Sequence, residues 1–166
     1  MRIIRIAALL LVFTFLLAGA AWAATDSKNL TINATVAATA KLSLGVAAIN
    51  FPDADPESTP SINATENPVS VTAKVKTGRL TNATLTVVTG GDLVSGADSI
   101  PITNVTWTAT GTGYVAGTMD KTTPQSAGLW TGSGNYVGSF YYKLANSWSY
   151  NTGSYTATAT YLLTAP

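Results

Sequence analysis

The run "DADPE" places Asp53, Asp55 and Glu57 at alternate positions, the densest group of acidic side chains in the chain. Hard oxygen ligands at such spacing are the kind that hold Ca²⁺. The segment lacks the glycine-punctuated Asp/Asn pattern of a calcium loop, and Pro56 restricts its backbone. A solvated acidic loop is the expectation, and no metal site is assigned. Paired carboxylates also serve glycoside hydrolysis, but nothing in the placement of the eight acidic residues recommends that chemistry. The chain contains neither histidine nor cysteine. That removes the commonest general base, the usual zinc ligands and the thiol nucleophile. None of the local nucleophile motifs surrounds a serine. No catalytic residue and no cofactor is therefore expected, and the chain reads as a non-enzyme.

Aromatic side chains are the other candidates for chemistry, because exposed rings on a sheet can stack on sugar rings. They crowd the C-terminal half, and strand parity turns Trp107, Tyr136, Phe140, Tyr142, Tyr155 and Tyr161 inward. Trp130, Tyr141 and Trp148 lie in loops or on the opposite parity, which leaves their exposure open. These three are the residues that a carbohydrate- or envelope-binding module would use.

The elements that must position such residues are strands. "PVSVTAKVK" (68–76) turns Val69, Val71, Ala73 and Val75 to one face, and "LTNATLTVV" (80–88) does the same with Ala83, Leu85 and Val87. This period of two is strand patterning, and the two runs read as a hairpin about "TGRL". In "IPITNVTWTAT" (100–110) the apolar register slips near Thr103–Asn104, which suggests a bulge or a strand changing sheets. A connection over 111–128 leads to the run 135–145, and a last alternating run covers 154–165. No segment after the N-terminal leader shows helical periodicity. About seven or eight strands without helices predict an all-β, immunoglobulin-like β-sandwich.

Before the first strand, Arg2 and Arg5, the apolar "IAALLLVFTFLLAG" and the small residues of "AWA" have the layout of a cleaved signal peptide over 1–23. The apolar core is short for a membrane span, so no membrane anchor is expected after cleavage. The protein is then expected to be secreted. Cleavage leaves seven basic and eight acidic residues, a net charge of −1. Such a balance offers no electrostatic footprint for nucleic acid.

The longest alternating run is the first. From Leu30 to Leu44 every even position is apolar, whereas strands usually have about 5–6 residues. Either the run bends and serves both sheets, or it divides by owner. In the second reading 24–37 is a donor segment, with Leu30, Ile32, Ala34 and Val36 as the donated side chains, and the sandwich domain occupies 38–166. Strand addition to an open sheet edge uses such alternation, because backbone bonds supply affinity while alternate side chains fill pockets.

"NATVAATAKLSLGVAAINF" (33–51) resembles the start of secreted fimbrial subunits of the spore-coat-U type, and "GSYTATATYLL" (153–163) is similar to their final strand. Ala40 stands near the family's usual first-strand cysteine, and Pro52 replaces the glycine after the phenylalanine. The tail "YLLTAP" more distantly resembles the end of WxL cell-wall-binding domains, with Tyr161 in place of the tryptophan. The fimbrial resemblance implies a structural subunit exchanging strands with itself or related subunits, served by a periplasmic chaperone and an outer-membrane usher. It further implies that Tyr155, Ala157, Ala159 and Tyr161 border the acceptor groove or meet the chaperone.

Overall fold

The computed structural model describes residues 23–166, so the expected signal peptide (1–23) lies outside the described residues except for Ala23. Residues 23–38 carry no strand, and the compact sandwich unit begins at Val36. Of the long alternating run, only β1 (Thr39–Leu44) is a strand.

Ten further strands follow among the described residues: β2 (Ser61–Asn63), β3 (Val69–Lys76), β4 (Asn82–Thr89), β5 (Leu93–Ser95), β6 (Asp98–Ile100), β7 (Val105–Thr110), β8 (Gly117–Thr118), β9 (Gln125–Thr131), β10 (Gly134–Ala145) and β11 (Ala159–Thr164). Seven of the eleven have six residues or more, which accounts for the seven or eight expected from periodicity. All pairings are antiparallel. One sheet runs β1–β3–β10–β7–β8, with β2 also on β10; the other runs β11–β4–β9, and β5 and β6 form a small separate ribbon. The fold is the expected β-sandwich.

Alternation buries what it should. Val69, Val71, Ala73 and Val75 of β3 face Ala83, Leu85 and Val87 of β4, all between 0% and 4% exposed. β3 and β4 are not a hairpin, however. They belong to different sheets, and the turn 77–81 carries the chain across the sandwich. Two inward-facing runs joined by a short turn fit either arrangement, and here each run found its hydrogen-bond partners elsewhere, β3 with β1 and β10, β4 with β11 and β9. The register slip near Thr103 is a single 3-10 turn (Ile102–Asn104) between β6 and β7, which again lie in different sheets.

The central strand β10 is twelve residues long and takes β3 and β2 in succession along one side. Where β2 has ended and β3 has not begun, Asn67 substitutes for backbone. Its Nδ2 donates to the Tyr142 carbonyl and its Oδ1 accepts from the Tyr142 N–H, both at 2.8 Å. The core is closed by rings set edge to face: Trp107 and Tyr142 against Phe140, and Tyr114 against both Phe140 and Trp130.

Trp130 is a correction to the sequence-based expectation. It lies in β9 and is 4% exposed, with its indole stacked on Tyr136 and its Nε1 donating to the Thr112 carbonyl at 2.8 Å. The strand was hidden because its inward positions include Gly128, whose missing side chain makes room for the indole; a Cβ there would meet the ring at 2.4 Å. A register shift opposite Leu85/Thr86 also disrupts the period of two in β9.

Candidate functional site

The two flanks of the sandwich are built differently. On one flank β9 is stitched to the segment before β8: Val115 N–H donates to the Ala127 carbonyl at 3.1 Å, and Leu129 N–H to the Gly113 carbonyl at 2.8 Å. Gly113 makes that approach with φ +82, a backbone state that glycine adopts without strain. The sheets are thus joined there by backbone hydrogen bonds. On the other flank β1 pairs only with β3, and β11 only with β4. Each strand therefore presents a row of unpaired backbone groups, and each offers a template for another strand.

These two edges form the lips of a seam. Their Cα atoms come within 8 Å of one another, while a strand placed between two partners in one sheet needs about 9.5 Å between them. Leu42 and Leu44 of β1, and Tyr161, Leu163 and Ala165 at the β11 lip, point toward the core yet are only half-buried. The seam thus holds apolar surface that neither sheet covers.

Its two ends differ. The lower end is where β3 gives way to β4: Thr39 pairs with Lys76, and Thr77 Oγ1 donates to the Pro166 carbonyl at 2.5 Å. At the upper end, Ala157 and Ala159 share the parity of Tyr161 and Leu163 but are exposed. Small side chains with nothing over them leave the seam uncovered there.

Tyr161 is the polar element of the seam. Its ring stacks on Phe140, and its hydroxyl meets the Tyr142 hydroxyl at 2.6 Å. Burial pushes the Tyr142 phenol up to about 12, and burial followed by the neighbouring Tyr142 raises that of Tyr161 still further. Both phenols are therefore neutral at physiological pH. They form a hydrogen bond between the sheets and offer neither a base nor a nucleophile.

Of the residues expected to border an acceptor groove, Ala159 and Tyr161 belong to β11, and Ala157 lies exposed two residues before it. Tyr155 precedes β11, half-buried, beside the backbone bridge of Thr156 to Val94. The expected strand over 154–165 is shorter, because Thr156 and Thr158 are engaged by the backbone of Val94 and Gly90. Sequence reasoning passed over Leu163 and Ala165, although their parity with Tyr161 marks them. Leu30, Ile32, Ala34 and Val36 are all exposed, Leu30 and Ile32 at 85% and Val36 at 75%.

The aromatic candidates are dispersed in character. Trp148 is 73% exposed and Tyr141 36%, whereas Trp130 is buried, so these three do not make one exposed patch. In the acidic loop, Asp55 Oδ1 accepts the Glu57 N–H at 2.9 Å. Among the described residues no three acidic side chains are grouped to share an ion. Comparison with protein-family models, with curated proteins and with solved structures returns no match to this chain.

Proposed function

We propose that the protein is a secreted structural subunit of a bacterial surface filament or coat, assembled by donation of the 24–37 segment of one copy to the seam of the next. The observation that carries this reading is the unsealed flank. Two edge strands with unpaired backbone border one apolar seam, while the opposite flank is stitched shut. An incoming strand would pair with the β11 lip, the seam being too narrow for full pairing with both edges. Its alternate side chains would cover the exposed Ala157 and Ala159 and the half-buried Tyr161, Leu163 and Ala165. Leu30, Ile32 and Val36 would each contribute about 1.5–3 kcal/mol on full burial. A chaperone holding the subunit before assembly would occupy the same lip, and an usher would exchange it for the donor.

The test is assembly of the mature chain Ala24–Pro166 beside its Ile32→Ser/Val36→Ser variant. In about 500 mM NaCl, where charge contacts between copies are screened, size-exclusion chromatography and negative-stain images should show open-ended oligomers for the former and monomers of equal melting temperature for the latter. A parent chain that stays monomeric at every concentration, alone and with added 24–38 peptide, would rule the donor role out. The glycan-binding alternative relied on Trp130 and Trp148 together in one flat exposed patch, and burial of Trp130 removes that support.

A further inference from the structure

We propose that successive copies dock end to end through complementary charge, the basic lower end of one against the acidic upper end of the next. At the lower end Lys41 and Lys74 are directly opposite one another across β1 and β3, Lys76 ends β3, and Arg79 follows in the turn to β4. All four are exposed. No Asp or Glu occurs in the segments that make this end, residues 36–41, 74–82, 131–136 and 163–166. Like charges placed directly opposite in a sheet repel, and among the described residues none of these four cations has an ion-pair partner.

All seven acidic residues of the sandwich lie at the other end, near the start of β3 and the ends of β4 and β10. Lys121 and Lys143 are the cations there, and Lys121 is paired with Asp92 at 2.6 Å. Glu66, Asp92, Asp98 and Asp120 each accept hydrogen bonds from nearby groups. The other three, Asp53, Asp55 and Glu57, are exposed in one loop, bonded within it only through Asp55 Oδ1 and the Glu57 N–H, and Asn146 fastens that loop to the end of β10 by donating to the carbonyls of Ala54 (2.9 Å) and Thr59 (3.0 Å). The eight residues of β3 separate the ends. At ~3.3 Å per residue that is about 26 Å, some three Debye lengths at physiological salt, so each end acts as an independent patch.

Charge of opposite sign at opposite ends favours a heterologous contact, which repeats without closing. The polarity also suits the seam. Val36, Ala37 and Ala38 line a hollow at the lower end with Lys76, Gly78 and Pro166, so the donor segment departs from the basic end. The uncovered stretch of seam at Ala157 and Ala159 belongs to the acidic end. A copy docked in this orientation sets the root of its donor segment beside the mouth of its neighbour's seam, and the donated strand then runs antiparallel to β11. The inference rests on strand donation for the identity of the partner, a second copy; the docking itself is testable apart from it.

The test uses the mature chain carrying Ile32→Ser and Val36→Ser, which donates no strand and alters no charge. Sedimentation velocity at about 20 mM and about 500 mM NaCl should show self-association that weakens at least tenfold at the higher salt, where the Debye length is only about 4 Å. Adding Lys74→Glu/Lys76→Glu should abolish association, as should Asp53→Lys/Asp55→Lys. A mixture of the two reversed variants should associate again, because each supplies the end the other lost. Absence of self-association at low salt, indifference to salt, or failure of the mixture to recover would each overturn the proposal. Binding of a sulfated polysaccharide without self-association would overturn it in favour of an anionic polymer as partner. If the serine variant docks but the parent never forms longer assemblies, donation fails while docking stands. If the parent assembles and the serine variant does not dock, docking fails while donation stands.

Discussion

At Glu66 one carboxylate holds two parts of the chain together. Oε2 accepts the Asn50 N–H at 2.7 Å and Oε1 accepts Asn50 Nδ2 at 2.6 Å. Thr65 N–H returns a bond to the Asn50 carbonyl at 2.9 Å. The clamp fixes the segment in which Ile49 and Phe51 pack half-buried on the core. The Asn50 amide, first through its side chain and then its backbone, holds the Glu66 carboxyl at about 2, below the ordinary value of 4.5. A depressed acid binds fewer protons in the native state than in the unfolded chain. Its contribution is thus complete above pH 4.5 and is lost as pH falls toward 2. Glu66→Gln should begin with a lower melting temperature at neutral pH and fall less steeply over that window. Circular dichroism melts of the two proteins from pH 6 downward decide the matter, and parallel curves would contradict it. Asp92 and Asp120 are also lowered, by Lys121 and by the Thr122–Thr123 amides respectively, so both proteins keep an acid limb.

At the level of strands, the lip formed by β11 makes a prediction of its own. Ala159 is exposed although it shares the parity of Tyr161, so Ala159→Glu should leave the monomer within about 0.5 kcal/mol of the parent. The same carboxylate would sit in the path of an incoming apolar strand and should stop assembly. A variant that melts normally and still assembles would exclude this lip as the acceptor. How much of these elements was legible depended on what the period of two can encode. β3, β4 and β10 were readable because a period-two row of apolar side chains runs along each, cleanly in β3 and with Val88 in β4 and Val137 and Tyr141 in β10 interrupting the other face. β9 was not, because a glycine and a register shift occupy its inward positions and its one bulky anchor, Trp130, had no alternating neighbours to declare it. Periodicity tells which face of a strand is buried and is silent about its edge partners, so β3 and β4 looked like a hairpin while belonging to different sheets. The candidate seam was half legible for the same reason. The last strand's parity puts Tyr155, Ala157, Ala159 and Tyr161 on one face, but that the strand's edge is unpaired and faces β1 is a property of topology alone.

For the whole molecule, the flank stitched by Val115 and Leu129 has a consequence in time as well as in shape. Opening that side requires breaking interstrand bonds and unpacking Tyr114 and Trp130, whereas β1 and β11 each peel away from a single neighbour. Native-state fluctuations release amides in cooperative groups, and the least buried, singly paired strands open at the lowest free energy. In the monomer, deuterium should therefore enter β1 and β11 well before β4, β9 and β10. Mass spectrometry of exchanged peptides reads this directly, and uniform protection across the strands would count against it. In an assembled sample the order should change, with β11 slowing toward the rate of β4. The side of the sandwich that breathes fastest alone would then become one of its most persistent parts, so the age and extent of an assembly could be read from the exchange clock of one strand.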